Sequence, residues 1–222
     1  MGILSGTSFR AQAVLFDMDG TLVDSTAAVE RTWRGWAARH GLDPDAILQV
    51  AHGRRTIETV RMFAPPGLDL DRECLELDAA TSGDTDGVVP IKGAPELLAA
   101  LPAGRWAIVT SAGRAMAETR LRSVGLAVPE VLVAAEDVSS GKPDPEGYRQ
   151  AARRLGFDPR DAVVFEDAPA GLEAGHAAGA RVIALATTLR PAELDGQDWL
   201  HDLSALTVRL DGDGLEFTAA PR

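Results

Sequence analysis

Sulfur is nearly absent as a reactive group: the 222-residue chain has one cysteine, Cys74. A lone cysteine excludes an internal disulfide framework and places Cys74 in or near the core of a reduced, cytoplasmic protein. No apolar run approaches the ~20 residues that span a bilayer, so no membrane partner is expected. The opening MGILSGTSFR lacks a basic stretch followed by an apolar core, so no secretory signal is expected either. Basic clusters never exceed two residues and the net charge is −11, which removes the basic face a nucleic-acid binder needs. There are no internal repeats and no low-complexity segments. What remains is 45% hydrophobic and 25% charged, the composition of a globular domain, at a length that fits one large domain or a core with a modest insert.

Short apolar runs recur at 13–16, 105–109, 131–134, 162–165 and 181–185, and each reads as a buried strand. Helical patterns lie between the later ones: 113–124, 145–155 and 169–178, followed by Gly125, Gly156 and Gly179 as stops. This alternation predicts an α/β fold with a Rossmann-like parallel sheet covered by helices on both faces. Residues 26–88 break the pattern. They carry helical periodicity at 26–39, 45–50, 55–63 and 70–81 and no strand-like run. A helical block this long is unusual inside one strand–helix connection. It is expected to form an inserted all-helical cap, residues 25–88, on a core of 1–24 plus 89–222, with hinges at 20–25 and 83–88. Ser25 is expected to cap the first cap helix. The tail 207–218 reads as a hairpin; its Asp211 and Asp213 suit turns better than a calcium loop, whose other ligands are missing.

The most informative stretch is Val14-Leu-Phe-Asp17-Met-Asp19-Gly20-Thr21-Leu-Val-Asp24-Ser25. Two acids, one residue apart, leave a strand for a glycine turn. The intervening Met18 lets the carboxylates diverge and take different roles. Three other polar groups follow predicted strands: Thr110-Ser111, Lys142 in Ser-Gly-Lys-Pro-Asp-Pro, and Glu166-Asp167. Parallel strands bring all four places to one edge of the sheet, where open α/β sheets bind ligands. Singly, each has a plain structural reading: an N-cap, a solvated loop lysine, a turn before a helix. Together they make a coherent site. Asp17, Asp19, Glu166 and Asp167 concentrate negative charge that calls for a cation, and oxygen-only ligands favour Mg²⁺. Ser111 and the amides opening the next helix suit an anion, and Lys142 supplies a point positive charge.

These positions resemble, one by one, the four motifs of the haloacid dehalogenase superfamily of phosphatases and phosphoryl-transfer enzymes, over about residues 12–205. The resemblance implies that Asp17 is the nucleophile and forms an aspartyl phosphate. It implies that Asp19 protonates the leaving alcohol and later takes a proton from water. Ser111 and Lys142, with Thr110 beside them, are implied to hold the phosphoryl oxygens. Mg²⁺ is implied to bind Asp17, Asp167 and the backbone carbonyl of Asp19, with Glu166 a direct ligand or just behind. Dehalogenases of the superfamily lack the second acid, so Asp19 points to phosphate esters. The related β-phosphoglucomutase carries a hinge histidine where this chain has Val29, which weakens a mutase reading. The stretch Ala51-His52-Gly53-Arg54-Arg55-Thr56 resembles sugar-phosphate and glycerol-phosphate phosphatases. His52, Arg54 and Arg55 either face the substrate from the cap or merely open a helix. The expected partner is a small phosphorylated metabolite and the expected state a monomer. A mutase-like phosphoryl transfer and a non-catalytic phosphate-binding module are the alternatives.

Overall fold

Residues 13–16 are apolar without exception because the strand they form is covered on both sides. The computed structural model describes residues 2–221. Two strands come first, β1 (Ser8–Ala11) and β2 (Ala13–Phe16), then a short β3 (Val23–Asp24). Four helices follow: α1 (Thr26–His40), α2 (Pro44–Ala51), α3 (Thr56–Phe63) and α4 (Leu70–Ser82). The chain returns through β4 (Val89–Pro90), α5 (Ala94–Ala100), β5 (Trp106–Val109), α6 (Arg114–Ser123) and β6 (Val131–Val133). Then come α7 (Glu146–Leu155), β7 (Ala162–Glu166), α8 (Pro169–Ala178), β8 (Arg181–Leu185) and β9 (Asp198–Leu200). The hairpin β10 (Leu206–Asp211) and β11 (Gly214–Ala219) ends the chain.

The main sheet is six-stranded and parallel, in the order β6-β5-β2-β7-β8-β9. Side chains alternate across it with period two. Val14, Phe16, Ile108 and Phe165 enter one apolar cluster, and Ala13, Leu15, Ala107 and Val164 enter the other. From β2 the chain builds outward through β5 and β6, then returns to the other side of β2 with β7. Strand order therefore reverses beside β2, and the crevice of a doubly wound sheet opens at its carboxyl end. Asp17 is the next residue.

The helices α1–α4 have an apolar cluster of their own around Trp33, Trp36, Ile47, Val60 and Leu77. Trp33 and Trp36 meet edge to face at 5.6 Å. The chain enters and leaves this block side by side, since β3 and β4 pair antiparallel with Val23 opposite Pro90 and Asp24 opposite Val89.

Several elements depart from the expectations. Ser25 does not cap α1: its side chain makes no cap hydrogen bond, and the Asp24 carboxylate takes the Thr26 amide at 3.0 Å instead. The predicted tail hairpin exists, but its β11 also pairs with β1, making a three-stranded sheet. Strand β9 and helix α5 carry no sequence signal used above.

Candidate active site

The turn after β2 is wound tightly around one carbonyl. The amides of Thr21, Leu22 and Val23 all donate to the Met18 oxygen, at 3.3, 2.8 and 3.0 Å. Met18 itself is fully buried, so the acids on either side are pinned and diverge. Gly20 is required here. Its φ is +85°, and a Cβ would lie 2.1 Å from Asp167 Oδ2.

Asp17 is 4% exposed and its Oδ1 accepts a very short hydrogen bond from Lys142. Lys142 Nζ also reaches Glu166 Oε1 at 2.6 Å. Burial disfavours the lysine's charge, but Asp17 and Glu166 outweigh it and hold the ammonium form firmly. Burial pushes the Asp17 carboxyl well above its usual range; Lys142 opposes this, while Glu166 and Asp167 add to it. Asp167 is pushed up to about 7, chiefly by burial and then by Glu166, against hydrogen bonds from Thr188 and Thr21.

One ligand oxygen from each of Asp17, Glu166 and Asp167 lies within 4.8 Å of the others. Three buried carboxylates against one lysine is a charge imbalance that a divalent cation would relieve, and an all-oxygen donor set suits a hard one. The residues fit such an ion. Glu166 is the least free of the three. Oε1 accepts from Lys142 and from Tyr148 Oη at 3.0 Å, and Oε2 accepts from the amides of Asp167 and Ala168 at 2.9 and 3.0 Å. It holds Lys142 and shapes the turn that presents Asp167. Gly171 makes room for it, since a Cβ there would lie 1.6 Å from Oε1. Asp19 keeps its carboxylate outside the three-acid cluster; its Oδ1 accepts from Ser25 Oγ and Arg120 Nη1, both at 2.6 Å.

A direct consequence concerns pH. Without a cation the folded Asp167 titrates near 7 against 3.8 for a free carboxyl, so between those values the folded chain holds the extra proton. The contribution of Asp167 to the stability of the metal-free protein therefore falls as pH rises from about 4 to about 7 and then levels. A cation needs the carboxylate form, so Mg²⁺ should raise the melting temperature more at about pH 8 than at about pH 5. Thermal melts with Mg²⁺ and with chelator at both pH values test this; equal gains at both would remove Asp167 from the ion site.

Of the phosphate-binding candidates, Thr110 and Ser111 reach one cavity with the two acids of the first motif, while Lys142 lines a smaller neighbouring cavity that also borders Thr110 and Ser111. Asp17, Asp19, Thr110 and Ser111 line a cavity of about 100 Å³, with His52, Arg54, Val29, Trp33 and Arg120. Thr110 is tied down locally, its Oγ1 accepting from the Ala112 amide at 3.0 Å. Ser111 Oγ donates to the Gly53 carbonyl at 2.8 Å, so the turn between α2 and α3 closes directly on the core. The expected helix N-terminus is less open than the sequence suggests. Helix α6 starts at Arg114, and the Glu136 carboxylate already accepts that residue's amide at 3.1 Å.

The cap candidates separate. Half-buried His52, its basicity lowered by burial against Asp19 and Glu30, and Arg54 line the cavity. The Arg54 side chain has no hydrogen-bond or ion-pair partner among the described residues; its backbone amide donates to the Ala51 carbonyl at 3.2 Å. Arg55 does not line it; it pairs with Glu58 at 2.7 Å and points at the Val138 carbonyl at 3.4 Å, over Gly141. Four contributors escaped the sequence reading: Arg120 and Ser25 on Asp19, and Thr21 and Thr188 on Asp167.

The chain is similar to known proteins over most of its length. A family model described as haloacid dehalogenase-like hydrolase matches residues 11–179. Hexitol phosphatase A of Escherichia coli (strain K12) is 43% identical over 210 residues, covering 92% of this chain and 97% of its own. The 2-deoxyglucose-6-phosphate phosphatase 1 of Saccharomyces cerevisiae is 39% identical over 228 residues, covering 90% and 91%. Among solved structures, CbbY from Rhodobacter sphaeroides in complex with phosphate superimposes with a TM-score of 0.75 at 24% identity, over 87% of this chain and 95% of that one, a likeness of fold.

Proposed function

Since the chain belongs to the haloacid dehalogenase-like hydrolases, we propose that it is a Mg²⁺-dependent phosphatase that hydrolyses a small sugar or polyol phosphate through a phosphorylated Asp17. One observation carries this reading. Asp17, held by Lys142 through Oδ1 and within 4.8 Å of Asp167, opens onto the same small cavity as Asp19, Ser111 and Arg54.

In the first step an oxygen of Asp17 attacks phosphorus and the P–O bond to the alcohol breaks. The departing oxygen takes a proton from Asp19. In the second, a water attacks the phosphoryl group, gives its proton to Asp19 and frees phosphate and Asp17. Lys142 and Ser111 hold the equatorial oxygens, where charge is spread in the loose transition state. Mg²⁺, held by Asp17, Asp167 and the Asp19 carbonyl, would neutralise phosphoryl charge. Glu166 keeps Lys142 in place.

The cavity supports the substrate class. At ~10–15 Å³ for each water it has room for on the order of seven to ten waters, enough for a small alcohol. Val29 on its wall carries no proton, which favours hydrolysis over a mutase cycle. The relatives' names, hexitol and 2-deoxyglucose 6-phosphate phosphatases, agree in chemistry. The helices α1–α4 act as a cap that closes over the alcohol, and unpaired Arg54 recognises it.

Phosphate release from a panel of hexitol, hexose, pentose and glycerol phosphates, with Mg²⁺ and with chelator, tests the reading. Metal-dependent release from at least one ester is expected; silence across the panel with active controls would sink it. On the preferred ester, Arg54→Ala should raise KM roughly 10-fold, the loss of one charge-assisted hydrogen bond of ~1.5 kcal/mol. Arg55→Ala, off the cavity wall, should leave KM nearly unchanged.

A further inference from the structure

Asp19 is anchored from outside the motif that carries it. Its Oδ1 accepts two hydrogen bonds, from Ser25 Oγ and Arg120 Nη1. Among the described residues no donor reaches Oδ2. The two anchors come from opposite sides of the hinge: Ser25 precedes α1 of the helical block, and Arg120 stands on α6 of the core.

Arg120 is an odd residue to bury. It is 3% exposed, and its Nε has no partner among the described residues. A buried charged group with an unmet donor is destabilising relative to an apolar side chain of similar volume. The other arginines of α6 behave differently. Arg114 pairs with Asp137 and Arg122 with Glu118, and both side chains are substantially exposed. Arg120 alone turns inward, and its one ion-pair partner among the described residues is Asp19. Stability does not explain it; the orientation of that carboxyl does.

We propose that Arg120 is a positioning residue for Asp19. By holding Oδ1 it leaves Oδ2 as the oxygen that gives a proton to the leaving alcohol and later takes one from water. Because Arg120 belongs to the core, it keeps that orientation when the cap opens and Ser25 shifts. The proposal rests on the assignment of Asp19 as the acid–base group.

The test separates proton transfer from attack by Asp17. p-Nitrophenolate leaves without needing a proton, whereas an alkyl alkoxide does not. With Mg²⁺ present, wild type, Arg120→Met and Arg120→Lys are compared on p-nitrophenyl phosphate and on the best alkyl ester of the panel. Single-turnover p-nitrophenolate release should change by no more than about threefold in Arg120→Met, while kcat on the alkyl ester falls roughly 100-fold, within the ~10²–10⁴ that acid–base catalysis supplies. Multiple-turnover rates on p-nitrophenyl phosphate should fall as well, because the second step still needs Asp19, and KM should move little. Arg120→Lys keeps a cation within reach of Oδ1 and should recover part of the loss with the same pattern; it also carries the test if the Met variant fails to fold. Equal losses in single-turnover release and alkyl kcat, or no loss in either, would overturn the proposal. A wild type inactive on every alkyl ester would instead overturn the phosphatase reading.

Discussion

Asp17→Asn should cut turnover by at least roughly 10⁴-fold, the scale seen when a nucleophile is removed, and leave the protein folded. The amide cannot attack phosphorus, and no other side chain of the cavity stands in its place. Thermal stability should hold or rise. Wild type buries three neighbouring carboxylates around one lysine, and the variant buries two. Lys142 keeps Glu166 at 2.6 Å, so the substitution strands no cation. Removing a carboxyl that burial already disfavours relieves repulsion with Glu166 and Asp167. Phosphate release and thermal melts on one preparation check both halves. A fall in melting temperature would show that the Asp17–Lys142 pair contributes net stability.

Lys142→Met should have the opposite balance. The side chain is buried and its volume is matched, so packing changes little. What changes is charge: Asp17 and Glu166 each lose their only cationic partner among the described residues. Breaking a buried pair from one side typically costs about 3–5 kcal/mol, because the remaining charge is left uncompensated. The loss should shrink as pH falls and Asp17, whose carboxyl burial holds well above its usual range, takes up a proton, and shrink again with Mg²⁺, which binds the folded form. Asp17→Asn in the same chain should recover part of it, a non-additivity expected of groups in contact. Denaturant melts of the two single variants and the double variant measure this. Additive losses would mean that Asp17 and Lys142 do not share their energetics. In the proposed mechanism Lys142 holds phosphoryl oxygens, so activity of Lys142→Met should also fall.

The contrast between these variants explains what was legible beforehand. Asp17, Lys142 and Asp167 could be read because each follows a strand or loop whose local pattern places it at one sheet edge. The strands were legible because both faces are covered, so Ala13–Phe16 and Ala162–Glu166 are nearly unbroken apolar runs. Arg120 was not legible. It sits in a helix with Arg114 and Arg122, and only the tertiary partner tells the inward arginine from the outward ones. Ser25 was misread because a serine before a helix is a good cap, and its hydroxyl is drawn instead to a carboxylate six residues back. Strand β1 was missed because its partner is the tail, Ser8 facing Thr218, a pairing no local signal announces. Thr188 reaches Asp167 by the same kind of long-range closure.

The two-residue ribbon at Val23–Asp24 and Val89–Pro90 has a further consequence. It places the entry and exit of the helical block next to each other, already joined by backbone hydrogen bonds. Residues 25–88 are thus one continuous stretch of sequence whose two ends meet in space. Swapping that segment for one of different length changes little of the loop-closure entropy, because the ends meet whatever lies between them. The wall that Val29, Trp33 and Arg54 supply to the cavity can then be exchanged as one piece while the six-stranded sheet and its acids stay in register.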